Sequence, residues 1–135
     1  MSTITPHNLF NKIIAREVPA RIVYEDDLCL AFHDLHPQAP VHVLLIPKKQ
    51  IVNLAHATAD DAAVLGHLLC TAPKIAADLG YPEAFRIAIN NGAAVGQSVF
   101  HLHLHILAGR GFQWPPGLLI KKPAQNFLTT QPPKG

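Results

Sequence analysis

Apolar residues recur at helical spacing at Leu9, Phe10, Ile13 and Ile14, so residues 8–16 are predicted as a short helix, ended by Val18-Pro19-Ala20. The runs 21–25 and 28–34 are rich in β-formers and flank Asp26-Asp27, which predicts a hairpin. A rigid Pro37-Gln38-Ala39-Pro40 loop precedes a third strand over 41–46, stopped by Pro47. Thr58 with Asp61 three positions later is a capping-box start for a long helix over about 60–79, closed by Gly80 and expected to kink at Pro73. A fourth strand is expected over 85–90, a glycine-containing loop over 91–97 and a fifth strand over 99–107. From residue 109 onward, proline and glycine predict an extended tail ordered by packing on something else. The order α-β-β-β-α-β-β predicts an α+β fold: an antiparallel meander with the long helix on one face and some strand surface left for a ligand.

Within this pattern His101-Leu102-His103-Leu104-His105-Ile106-Leu107 stands out. Side chains alternate along a strand, so the three histidines share one face, with rings roughly 7 Å apart, while Leu102, Leu104 and Ile106 turn to a core. Three chemistries fit such a row. A purely structural row would need a partner for every buried ring. A zinc site uses neutral imidazole, but i, i+4 histidines on a strand lie roughly 14 Å apart and no carboxylate or cysteine is adjacent in sequence. Nucleophilic attack on phosphorus uses one imidazole, with its neighbours orienting it and donating to phosphate oxygens. The preceding segment Asn90-Asn91-Gly92-Ala93-Ala94-Val95-Gly96-Gln97-Ser98 favours the third: Gly96 allows close backbone approach, and Asn90 and Ser98 add donors.

Composition narrows the class. The chain has 135 residues, 49% hydrophobic and 15% charged, the balance of a single compact domain. The formal charge of +2, with no basic run, argues against a nucleic-acid surface. The N-terminus lacks signal-peptide character, and no apolar stretch reaches membrane-spanning length. Cys29 and Cys70 are both expected as buried free thiols, consistent with a reducing cytoplasm. His7, His36, His56 and His67 are expected on the surface or in loops.

These residues resemble the histidine-triad (HIT) superfamily, whose signature is His-x-His-x-His followed by apolar residues. The resemblance runs over residues 8–117 and includes Leu30-Ala31-Phe32-His33-Asp34, Pro37-Gln38-Ala39-Pro40, Ile46-Pro47-Lys48, Gly96-Gln97-Ser98 and the triad. Trp114-Pro115-Pro116-Gly117 is similar to the Hint branch of nucleoside phosphoramidases. The resemblance implies one HIT domain spanning 1–135, with a tail over 118–135 and a five-stranded antiparallel sheet continued across a homodimer. It implies a purine nucleoside monophosphate as ligand (AMP or GMP, with their phosphoramidates) and no cofactor. His103 would attack the α-phosphorus, and His105, Asn90, Gly96, Gln97 and Ser98 would bind phosphate, Ser98 also assisting the departing amine. His101 and His42 would support His103, and Asp34 would hold the ribose hydroxyls. Phe10, Ile13, Val18, Phe32, His33, Leu35 and Leu44 would form the purine slot, and Trp114 would reach the partner subunit's site. Some bacterial relatives carry a structural zinc site beginning with Cys-x-x-Cys; Asn8, Asn11 and Gln50 stand at the corresponding positions, so no metal is expected. A nucleotide-binding regulatory protein with incidental catalysis remains the alternative function.

Overall fold

The computed structural model describes residues 8–117. The proposed tail over 118–135 and His7 lie outside the described residues.

Helix α1 (Leu9–Ile14) begins at Asn8, whose side-chain oxygen accepts the Asn11 N–H at 2.7 Å. Phe10 and Ile13 are its buried residues. Strands β1 (Ile22–Glu25) and β2 (Cys29–His33) form the expected hairpin. Asp26 builds the turn: one carboxylate oxygen accepts the Leu28 and Cys29 N–H groups at 2.8 and 2.9 Å. The other accepts from the Tyr24 hydroxyl at 2.8 Å and sits 2.7 Å from the His67 ring.

Strand β3 (Val41–Pro47) is buried along its whole length. Its alternating side chains split between two apolar clusters. Val41, Val43 and Leu45 join the larger one, under the long helix, while Leu44 and Ile46 join the smaller one, with Phe10, Ile13, Leu30 and Phe32. The Thr58–Asp61 capping box closes a short 3₁₀ turn (Ala59–Asp61) that leads into helix α2 (Ala62–Asp78). The helix runs continuously through Pro73, which lies on its exposed side. Leu68, Ala72, Ile75 and Ala76 face the sheet and are buried.

Strands β4 (Arg86–Ala88) and β5 (Leu104–Ala108) complete a five-stranded antiparallel sheet, but not a simple meander. The order is β1-β2-β3-β5-β4, so the last strand inserts next to β3 and β4 becomes the edge. The α+β fold of the sequence reading therefore stands, while its strand order is corrected. The reason is non-local: β3 is covered on both faces and takes its partner from the most apolar alternating run left in the chain.

Two further expectations change. Strand β5 starts at Leu104, not at residue 99, because β3 offers partners only to residues 104–108. Upstream of it the backbone is held instead by the Leu102 N–H, which donates to the Ile51 carbonyl at 2.6 Å. Cys29 is fully buried as expected, but Cys70 is exposed on the outer face of α2. Among the described residues, no helix is long and apolar enough to cross a membrane.

Candidate active site

The smaller apolar cluster opens into a cavity of about 300 Å³. Phe10 and Ile13 from α1, Val18 after it, Phe32 from β2 and Leu44 from β3 form its apolar wall. His33, Asp34, Leu35, Ser98, His103 and His105 complete the sequence-predicted residues that line it. The sheet register explains the convergence, since Leu44 is paired with Phe32 on one side and with His105 on the other. His36, whose effect on the pocket the sequence leaves open, lines the cavity, and sequence reasoning missed Leu9, Pro19, Ala20 and Val99, which also line it. These four lie within two positions of residues that it named, so proximity in the chain was the available signal.

The three triad rings gather on this side of the sheet although His101 and His103 precede the ladder. Phe10 packs edge-on against His103 and His101, with ring centres 5.0 and 6.0 Å away. His103 and His105 are 5.0 Å apart, closer than the ideal strand spacing.

Hydrogen bonds fix which nitrogen of each ring carries the proton. His103 Nδ1 lies 2.8 Å from the His101 carbonyl, which can only accept. Nδ1 is therefore protonated, and Nε2 keeps the lone pair. Similarly, His101 donates from Nε2 to the Pro47 carbonyl at 2.8 Å. Its Nδ1 is buried with no partner among the described residues. The Gln38 N–H donates to His42 Nδ1 at 3.0 Å, so the His42 proton sits on Nε2. That proton is shared with His105 Nδ1 at 2.9 Å, which leaves His105 with its own proton on Nε2. His103 thus carries a free nucleophilic nitrogen, and His105 carries a free donor.

Burial keeps all four rings neutral. It lowers His101, His103 and His42 below the ordinary histidine value, although backbone hydrogen bonds to the first two and Asp34 beside His42 and His103 pull the other way. His105 falls furthest, to about 4, through burial and then through its His103 and His42 neighbours. Asp34 accepts the His36 N–H at 2.7 Å on one oxygen, and its other oxygen lies 3.5 Å from His42 Nε2.

The glycine loop differs from its expected form. Gly96 adopts φ +110°, reserved for glycine, but its N–H is already given to Ala93. Gln97 is buried, and its side chain is wholly used inside the protein. It donates to the Val52 and Val99 carbonyls at 2.8 and 3.1 Å and accepts from Asn53 and from the Gly92 N–H at 3.1 and 2.8 Å. Its own N–H goes to the Gly92 carbonyl. Gln97 is therefore corrected from a ligand contact to the pin that holds the loop. Asn90 lies beside Gly96 and neither lines the cavity, whereas Ser98 does. Trp114 stands 84% exposed, away from the cavity of its own chain. His67, expected at the surface, instead ties α2 to the Asp26 turn.

A metal at Asp34, His42 and His105 is disfavoured by their donor set. Asp34, His42 and His105 do converge, with ligand atoms within 4.8 Å of one another, so a carboxylate absent from the local sequence is supplied by the fold. However, the two imidazole nitrogens that would face an ion share one proton, and the Gln38 N–H holds that proton on the inward nitrogen of His42. Ligation through that nitrogen would require an imidazolate or loss of the Gln38 bond.

A family model described as the HIT domain matches residues 15–112. The chain belongs to the HIT family. It is 69% identical over 109 residues to an uncharacterised HIT-like protein of Synechocystis sp., covering 81% of this chain and 96% of that protein. A solved HIT family hydrolase from Legionella pneumophila Philadelphia 1 superposes with a TM-score of 0.80 at 45% identity, covering 82% of this chain and 100% of that one. A second HIT family hydrolase, from Clostridium thermocellum, gives a TM-score of 0.79 at 42% identity, covering 86% and 100%. As a HIT protein, the chain carries the family's triad at His101, His103 and His105.

Proposed function

We propose that this HIT protein is a hydrolase of the Hint branch that cleaves the P–N bond of purine nucleoside 5′-phosphoramidates. The observation that carries the proposal is the His103 ring, locked through Nδ1 to a backbone carbonyl so that Nε2 offers its lone pair beside the His105 donor. In the first step Nε2 forms a bond to the α-phosphorus, the P–N bond breaks, and the amine leaves with a proton. Ser98 and His105 are the cavity residues able to supply that proton or hold the phosphate oxygens. In the second step a water oxygen bonds to the phosphorus as the P–Nε2 bond breaks, one water proton returns to the group that protonated the amine, and the monophosphate leaves with the ring back in its starting form. A neutral nucleophile suits this substrate, because no second negative charge approaches the phosphate.

The apolar wall of Phe10, Ile13, Val18, Phe32 and Leu44 suits a flat purine, and the Asp34 carboxylate suits the ribose hydroxyls. Acyl- and aminoacyl-adenylates present the same α-phosphorus and are further substrates on this reading. The Trp114-Pro115-Pro116-Gly117 segment supports the Hint branch, in which a homodimer would bring Trp114 to the partner's site.

A turnover assay with adenosine and guanosine phosphoramidates, phosphorothiolates and dinucleoside polyphosphates tests the proposal, with phosphoramidates expected as the preferred class. His103→Asn should reduce turnover by at least about 10³-fold while retaining purine monophosphate binding. Substantial hydrolysis by a clean preparation of that variant would overturn the assignment.

A further inference from the structure

We infer that Arg110, outside the cavity, is a positioning residue that sets the proton arrangement of the His42–His105 pair. The inference rests on the phosphoramidase reading for its effect on rate. Its structural basis is a chain of three hydrogen bonds. Arg110 Nε donates to the Gln38 carbonyl at 2.8 Å, the Gln38 N–H donates to His42 Nδ1 at 3.0 Å, and His42 Nε2 meets His105 Nδ1 at 2.9 Å. The middle link selects the His42 tautomer, and through it the tautomer of His105. The Gln38 carbonyl and N–H belong to successive peptide planes joined at the Gln38 Cα. A grip on the carbonyl therefore restricts the N–H through the two dihedrals of one loop residue. The Asp34 oxygen 3.5 Å from His42 Nε2 favours the same tautomer.

The segment after β5 is shaped to hold that loop. Gly109 has φ +99°, and a Cβ there would fall 2.8 Å from the Pro40 Cβ, so the two segments touch as closely as backbone allows. Arg110 Nη1 donates to the Gly111 carbonyl at 2.8 Å, which aims Nε at Gln38. Its guanidinium lies over the Phe112 ring at 4.3 Å, and Arg86 of β4 approaches the same ring at 5.0 Å. Arg86 also donates to the Gln113 carbonyl at 3.2 Å. An exposed arginine gains little from a single surface contact. Here three groups constrain it, the Gln38 and Gly111 carbonyls and the Phe112 ring, and the loop it grips orients a buried imidazole.

Imidazole nitrogen chemical shifts and steady-state kinetics on the full chain test the inference. In the wild type, His105 should read as protonated on Nε2 only. Arg110→Ala should give a mixed tautomer signal for His42 and His105 and lower kcat roughly tenfold, with KM changed by less than about twofold. Arg110→Lys, which keeps the charge but not the fork, should show a smaller change in the same direction and serves if the alanine variant does not fold. In a His42→Ala background, Arg110→Ala should cause no further loss, because the link is already cut. Wild-type tautomers in both Arg110 variants, or losses that multiply in the double variant, would overturn the inference. The nitrogen shifts need no substrate, so they decide it even if the chain turns over no phosphoramidate.

Discussion

A histidine is most useful to a reaction on phosphorus when it is uncharged and held by one nitrogen only. His103 meets both conditions through one carbonyl and one aromatic neighbour, His101 O and Phe10. Its neutrality has a measurable consequence. All four site histidines titrate below their ordinary value of 6.5 in the folded protein, His105 at about 4. The unfolded chain therefore binds more protons between these limits, and stability rises with pH across that window. Chemical denaturation should show full stability above about pH 6.5, a progressive loss down to about pH 4, and a shallower loss in His105→Asn. A flat profile from pH 7 to 4 would contradict the neutral assignment. The acid limb of kcat/KM should likewise fall well below pH 6.5. His101 carries a structural liability, an Nδ1 with no partner among the described residues, which costs on the order of 1–3 kcal/mol.

At the level of elements, the loop before the triad is held by Gln97 rather than built for a ligand by Gln97. Gln97→Leu would remove four side-chain hydrogen bonds and strand one buried and one part-buried carbonyl, so a loss of about 2–4 kcal/mol is expected, read as a lower Tm. KM should rise with it, because Ser98 is carried on the same segment. An unchanged Tm would show that the loop has another anchor.

The sequence made much of this level legible. The hairpin, the third strand and the Thr58–Asp61 box follow from local pattern, as does the inward turn of Leu102, Leu104 and Ile106 between the histidines, although only His105 lies in the strand itself. Three things did not. Strand order depends on which run β3 accepts as a partner, a choice made across the whole chain. The role of Gln97 depends on Val52 and Asn53, which lie more than forty residues away. The tautomers depend on carbonyls at Pro47 and His101, which leave no trace in residue type. The cavity wall was readable only through resemblance, because Phe10, Ile13 and Leu44 look like any core residues.

On the scale of the whole molecule, the sheet separates two tasks. The cluster under α2 supplies most of the buried hydrocarbon, and the cluster under α1 borders the cavity. Leu68→Ala, at a fully buried position on the inner face of α2, should cost about 2–5 kcal/mol while leaving KM for the nucleotide near its original value. Denaturant titration and steady-state kinetics on the same samples would check that pairing. The proposed homodimer predicts a two-chain mass in light scattering. It also predicts that Trp114→Ala, at a position 84% exposed in one chain, leaves stability within about 0.5 kcal/mol but alters the choice among leaving amines. A monomer with unaltered selectivity would remove Trp114 from the site.

The burial of β3 on both faces makes it a bulkhead between these tasks. Odd-numbered positions can drift in size with the helix side and even-numbered ones with the ligand side, each without consulting the other. What neither side can change alone is the strand's path, since the same backbone sets the register of Leu44 against His105 and carries His42 toward its partner ring. Variation along β3 should therefore be matched by compensating volume changes in the cluster that each side chain fills, and restricted wherever it would bend the main chain.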